Sequence, residues 1–157
     1  MAGYGSFAQV YDQLTLNVPY DQIAELYHAK IAGYGGGKLL ADAGCGTGSL
    51  TARMARLGYD VIGADASPEM LSIAVNKPHD GVQYICQGMT ELDLYGEMDV
   101  IISTLDSVNH LSSTEEIAEF FRAAALNLRE GGLLLFDVNT IYKHKKVLAD
   151  NVFVYDV

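Results

Sequence analysis

Three glycines stand at alternate positions in Asp42-Ala43-Gly44-Cys45-Gly46-Thr47-Gly48, behind an apolar run and ahead of a helical stretch. Glycine allows a tight turn and lets a ligand approach where a Cβ would clash. At the carboxyl end of a first strand, such a loop lies where open α/β sheets bind their ligands. The spacing then separates the ligand classes. Dinucleotide sites use G-x-G-x-x-G to seat a pyrophosphate on a helix N-terminus. Here the pattern is G-x-G-x-G, and Asp42 stands two residues before the first glycine. That carboxylate would repel a pyrophosphate and attract the ammonium group of an amino acid. The Lys-Ser/Thr pair of a phosphate-binding loop is missing too.

A ligand with an ammonium group, a sulfonium and no phosphate fits this loop better than NAD or ATP does. S-adenosylmethionine (SAM) is such a ligand. Taken alone, the loop also reads as a bare strand-to-helix turn. Asp65 argues against that. It follows the second strand, 17 positions after Gly48, close to where an acid accepts hydrogen bonds from both ribose hydroxyls. Ala66, Ser67 and Met70 then fall beside the adenine.

The elements that position these residues alternate. Ser6 is a candidate cap for a helix through Leu14, with Phe7, Val10, Tyr11 and Leu14 on one face. Pro19 opens a helix from Tyr20 to about Ala32. Strands are expected over 38–42, 60–64, 82–86, 99–103 and 133–138. Helices are expected from Ser49 to Leu57, from the capped Ser67-Pro68-Glu69 start to before Pro78, and from Thr114 to the Gly131-Gly132 stop. This alternation predicts an α/β fold: a Rossmann-like, doubly wound parallel sheet with helices on both faces. A helical stretch over 141–149 leads into 151–157, which reads as a strand without a partner.

Composition bounds the rest. The 157 residues are half apolar, enough for one domain with an ordinary core. Twenty acidic against ten basic residues give a formal charge of −10, which disfavours nucleic acid phosphates and anionic lipid as partners. Lys143, Lys145 and Lys146 with His144 form the basic cluster, read as a solvated helix face. Cys45 and Cys86 lack metal-ligand spacing and are too few for a disulfide framework, so a reduced cytoplasmic setting and no metal are expected. No apolar run approaches a membrane-spanning length.

At Asp42-x-Gly44-x-Gly46-x-Gly48 and Asp65 the sequence resembles the class I SAM-dependent methyltransferases, and among them the small uncharacterised bacterial ones. The resemblance runs from the N-terminal helices to the fifth strand. It implies SAM as cofactor, S-adenosylhomocysteine as product and methyl transfer to an unidentified, small-molecule acceptor. Phe7-Ala8-x-x-Tyr11-Asp12 with Val18-Pro19-Tyr20 is similar to the family's lid helices, which places Tyr11 over the cofactor. Cys86-Gln87-Gly88-Met89 departs from the pattern: many relatives carry an acid where Gly88 stands. Backbone contacts from Gly88 and packing of Met89 on the adenine remain, and one lost hydrogen bond costs about 0.5–1.5 kcal/mol. The loop Ser103-Thr104-Leu105-Asp106-Ser107-Val108-Asn109-His110 is implied to flank the methionine moiety. Asp106, Asn109 and His110 are therefore the candidates for catalysis. Histidine and aspartate at a helix start also serve as plain caps.

The resemblance also implies seven strands in the order 3-2-1-4-5-7-6. Five are legible, so residues 1–139 are expected to form the cofactor-binding core and 140–157 to begin an incomplete acceptor-binding element. The exposed edge of strand five would then invite self-association. Two other readings stay open: a SAM-binding module without turnover, and a nicotinamide-dependent oxidoreductase, against which the glycine spacing and Asp42 count.

Overall fold

The computed structural model describes residues 4–78 and 81–149. The elements, in chain order, are α1 (Tyr4–Leu14), α2 (Tyr20–Gly33), β1 (Leu39–Ala43), α3 (Ser49–Arg56), β2 (Asp60–Asp65), α4 (Pro68–Asn76), β3 (Gln83–Cys86), β4 (Met98–Ser103), α5 (Thr114–Asn127) and β5 (Leu128–Phe136). Short 3-10 turns at Met89–Glu91 and Ser107–His110 join them, and a π-helical segment covers Lys143–Leu148. The five strands form one parallel sheet in the order β3-β2-β1-β4-β5.

Strand alternation splits the core into two layers. Leu40, Val100 and Ile102 face α2 and α3, where Ala24, Ile31, Leu50 and Met54 meet them. Ala41, Ala43 and Ile101 face α5, with Phe120, Ala123 and Ala124. A parallel sheet covered on both faces needs apolar residues at nearly every strand position. Residues 40–43 are all buried, and the one charged residue among them is Asp42.

Most expected elements fall where hydrophobic period and capping residues put them. Pro19 precedes α2, and the Ser67 hydroxyl accepts from the Met70 amide at 3.2 Å to cap α4. The first helix begins two residues before Ser6, so Ser6 lies inside α1 and is not its cap. The long helix stops at Asn127, short of Gly131-Gly132, and β5 begins at Leu128 instead of Leu133. Tertiary contacts explain this. The buried Asn127 amide donates to the carbonyls of Leu92 and Ala123 at 2.8 Å each, while its carbonyl oxygen accepts from the Leu94 amide. Leu128 then pairs with Met98, and Leu133 with Val100, so the intervening residues bulge out of β5. Gly131, at φ +75°, serves that bulge. Arg129 closes it by pairing with Asp99 at 2.5 Å. The strand ends at Phe136 rather than Val138. The terminal strand expected over 151–157 lies outside the described residues. Among the described residues, no helix is long and apolar enough to cross a membrane.

Candidate functional site

The loops leaving the carboxyl ends of β1, β2 and β4 meet at one edge of the sheet. The first is the glycine loop. Gly44, Gly46 and Gly48 have φ of +79°, +56° and +75°, a region that side-chain-bearing residues rarely occupy. At Gly48 a Cβ would also collide with the Tyr84 hydroxyl. The amides of Gly44 and Cys45 both donate to the Ala64 carbonyl, at 2.8 and 3.0 Å.

Asp65 closes the loop from the side. Its Oδ2 accepts from the Gly46 amide and its Oδ1 from the Ser67 amide, each at 2.8 Å. Each carboxylate oxygen keeps a further lone pair, so ribose hydroxyls can still be accepted. Nearby Ala66 is exposed and Met70 is buried at 6% exposure. A side chain at Gly88 would meet only the Ala66 methyl, at 4.0 Å, so the space beside it is open. The Met89 sulfur lies close to Gly44 and packs on the α5-side core.

Asp42 sits at the bottom of the loop, fully buried beneath α3. Its Oδ2 accepts from the Thr51 hydroxyl at 2.7 Å. Its Oδ1 has no partner; with Ser103 Oγ it is one of two such buried side-chain oxygens among the described residues. Burial pushes the carboxyl from the ordinary 3.8 up to about 7, against the hydrogen bond from Thr51. Buried polar atoms are seldom left unpaired. Asp42 is among the residues that line a cavity of about 30 Å³, with Tyr11, Tyr20, Gly44, Cys45, Gly46, Thr104 and Leu105. Asp42 thus places a buried carboxyl group, one oxygen of which has no partner, in the wall of a small cavity. The Cys45 thiol in the same wall is pushed up, first by burial and then by Asp42 and Asp65, so it is no thiolate nucleophile.

A second, larger cleft of about 540 Å³ adjoins the cavity. Tyr11 and Leu105 line both. Thr15, Val18, Asp106, Asp137, Thr140 and Lys143 complete much of the cleft. Its size suits a small organic molecule. Burial, and then neighbouring hydroxyl and carboxylate groups, push the Tyr11 hydroxyl up to about 12, so it is a proton donor. Lys143 is no part of a purely solvated basic face: its Nζ donates to Asn139 Oδ1 at 2.5 Å and stands 3.7 Å from Asp106.

Helix α1 closes the top. The Asp12 carboxylate accepts from the Thr47 hydroxyl at 2.6 Å and pairs with Lys77 at 2.6 Å. Lys77 also donates to the Thr47 carbonyl at 2.9 Å. Phe7, 41% exposed, packs edge-on against Tyr11 with ring centroids 5.6 Å apart.

The candidates from the loop after β4 separate. Asp106 lines the larger cleft and occupies the cap position of the following 3-10 turn, yet its side chain makes no capping bond. Asn109 is exposed and accepts from the Asn139 amide at 2.8 Å, and His110 is exposed; neither lines the cavity or the cleft. Sequence reasoning missed Thr51, Lys77 and Asp137. Asp137 carries no local signal, because the expected fifth strand, 133–138, runs through it and only the structure ends that strand at Phe136.

Comparison with known proteins agrees with this geometry. A family model described as "Methyltransferase domain" matches residues 40–132. The chain is 38% identical over 155 residues to a candidate methyltransferase of Geobacillus sp. (strain WCH70), covering 96% of this chain and 63% of that protein. It is 35% identical over 120 residues to the ubiquinone biosynthesis O-methyltransferase of Sinorhizobium fredii (strain NBRC 101917 / NGR234), covering 74% and 46% of the two. The crystal structure of an S-adenosylmethionine-dependent methyltransferase from Clostridium acetobutylicum ATCC 824 superposes with a TM-score of 0.82 at 32% identity, over 98% of this chain and 65% of that one. The chain spans less than two thirds of the length of each of these relatives.

Proposed function

The chain belongs to the class I SAM-dependent methyltransferase family, and from that premise we propose that it binds SAM across the glycine loop and directs its methyl group to a small-molecule acceptor in the adjoining cleft. The observation that carries this reading is Asp42: a buried carboxylate with one unpartnered oxygen in a cavity walled by left-handed glycines. SAM supplies a methyl group already activated by its sulfonium. The residues have to hold, orient and shield. Asp42 takes the ammonium group, and Asp65 accepts the ribose hydroxyls while it braces Gly46. Ala66, Met70, Gly88 and Met89 surround the adenine, and Tyr11 covers the sulfur end.

Displacement at an activated carbon is accelerated chiefly by alignment. Leu105 and Tyr11, common to both spaces, define where cofactor and acceptor meet. A general base is needed only for an acceptor that must lose a proton. Of the three candidates, Asp106 has the geometry for that role, because it lines the cleft. Residues 1–139 are the cofactor-binding core, and residues from 140 begin the acceptor-binding element, to which Thr140 and Lys143 already contribute. The ubiquinone relative's name specifies an O-methyltransferase, which supports a small organic acceptor here.

Calorimetric titration with S-adenosylhomocysteine tests the reading. The chain should bind saturably, and Asp42→Asn should weaken binding about ten- to hundredfold, the worth of a charge-assisted hydrogen bond. Asp65→Ala should weaken it too, by removing the ribose acceptor and freeing Gly46 together. A folded chain that takes up no S-adenosylhomocysteine would overturn the proposal.

A further inference from the structure

We infer that Asp137 is a positioning residue, whose carboxylate holds the loop after β4 in a left-handed turn and so fixes Leu105 as the partition between the cofactor cavity and the acceptor cleft. The inference rests on the proposed roles of those two spaces.

Leu105 and Asp106 have φ of +54° and +65°, and both carry a Cβ. Two consecutive side-chain-bearing residues in this region persist only where their surroundings over-determine them. Beside Ser107, whose amide and hydroxyl donate to the Thr104 carbonyl, the surroundings that reach these two residues' amides are one carboxylate. Asp137 Oδ2 accepts from the Leu105 amide and Oδ1 from the Asp106 amide, each at 2.8 Å. Asp137 is itself held in place. It follows Phe136, which is in register with Ser103, and its own amide donates to the Ser103 carbonyl at 3.2 Å. The Tyr27 hydroxyl reaches Oδ2 at 3.5 Å, and burial followed by Asp137 pushes that hydroxyl up, which keeps its proton available.

The result is a link between the end of β5 and the wall of the site. Leu105 lines both spaces only because the turn points it there. Both oxygens of Asp137 already accept backbone amides, which ties its carboxylate to the turn. The other carboxylate of the cleft is Asp106, with Lys143 at 3.7 Å.

Four forms of the chain test this: wild type, Asp137→Asn, Asp137→Ala, and Asp137→Ala combined with Asp106→Gly. Each is titrated with S-adenosylhomocysteine, and the amide resonances of residues 105 and 106 are followed in ¹⁵N spectra. Asp137→Ala should move both resonances upfield and weaken binding about tenfold, with the rest of the spectrum unchanged. Asp137→Asn, which keeps one acceptor, should fall between and serves alone if the alanine variant does not fold. Glycine at 106 takes a left-handed conformation without strain, so the double variant should recover most of the lost affinity. Unmoved resonances in Asp137→Ala, or a loss of affinity that glycine at 106 does not relieve, would overturn the inference. If wild type itself binds no S-adenosylhomocysteine, the functional reading fails, and the resonances still decide whether Asp137 holds the turn.

Discussion

The site is walled by two loops that solve the same conformational problem differently. After β1 the chain enters the left-handed region three times, always at glycine, and its amides are held by the Ala64 carbonyl and the Asp65 carboxylate at the end of the neighbouring β2. After β4 it enters that region at Leu105 and Asp106, and a carboxylate from beyond β5 holds it. Each side-chain-bearing residue in such a conformation costs about 1–3 kcal/mol, which the clamp must offset. The first loop therefore carries its conformation in its own glycines and leans only on the neighbouring β2. The second depends on the completed sheet. On the proposed reading, the cofactor's amino acid end meets the first kind of wall, and the acceptor meets the second.

The sharpest way to break the first loop is Gly48→Ala. The substitution adds left-handed strain and a Cβ that collides with Tyr84 and presses on Ala74. Strain and overpacking together should cost about 3 kcal/mol. We expect a lower melting temperature and no detectable binding of S-adenosylhomocysteine. For the melting temperature Gly46→Ala is the control, since in the unliganded chain its Cβ would meet open space. Only the conformational cost of about 1–2 kcal/mol should remain there. Equal losses in the two variants would mean that the collision with Tyr84 does not matter.

The same contrast explains what could be read in advance. Strands β1 to β4, the glycine loop and Asp65 announce themselves because period, glycine spacing and the distance to the next acid are local signals. Asp42 is legible for the same reason, although its burial and its bond to Thr51 are not. The role of Asp137 depends on an amide pair more than thirty positions away, and nothing in Phe136-Asp137-Val138 distinguishes it from a turn acid. The Gly131-Gly132 pair misleads because left-handed glycine serves a helix terminus and a strand bulge equally. Pairing of Leu128 with Met98 and the Arg129–Asp99 contact decide for the bulge, and both are long-range. The lid helix was legible as an element, but its fastening to Thr47 and Lys77 was not.

A smaller effect separates the two loops by pH. Asp42 belongs to the glycine loop, and its folded-state carboxyl titrates near 7 instead of 3.8 because it is buried. The folded chain therefore holds a proton that the unfolded chain has released between about pH 4 and 7. Stability falls as pH rises across that window, and the cost is fully present above it. An ammonium ligand favours the ionised form, so binding should run the opposite way. Affinity for S-adenosylhomocysteine should rise from pH 6 to 8 by up to about tenfold and release a proton below pH 7. Calorimetry in buffers of different ionisation enthalpy measures both. Asp42→Asn should bind weakly with no such slope, and an unchanged slope would assign the titration to another group. The Asp137 variants should keep the slope.

The smallest expected effect concerns the helix that spans both loops. A cavity of about 30 Å³ has room for about two water molecules, far less than the amino acid chain of the cofactor. On the proposed reading, helix α1 lifts before the cofactor enters. Asp12, Thr47 and Lys77 are what it lifts against. The Asp12–Lys77 pair is partly exposed, with side chains 38% and 29% accessible, so it contributes only about 0.2–1 kcal/mol. Lys77→Met removes the charge and keeps much of the stem. It should raise the association rate of S-adenosylhomocysteine about two- to fivefold in stopped-flow measurements, with dissociation accelerated alongside and affinity little changed. An association rate identical to wild type would mean that α1 does not gate the glycine loop through this pair. A rise in dissociation alone would place Lys77 in the bound complex rather than in the latch.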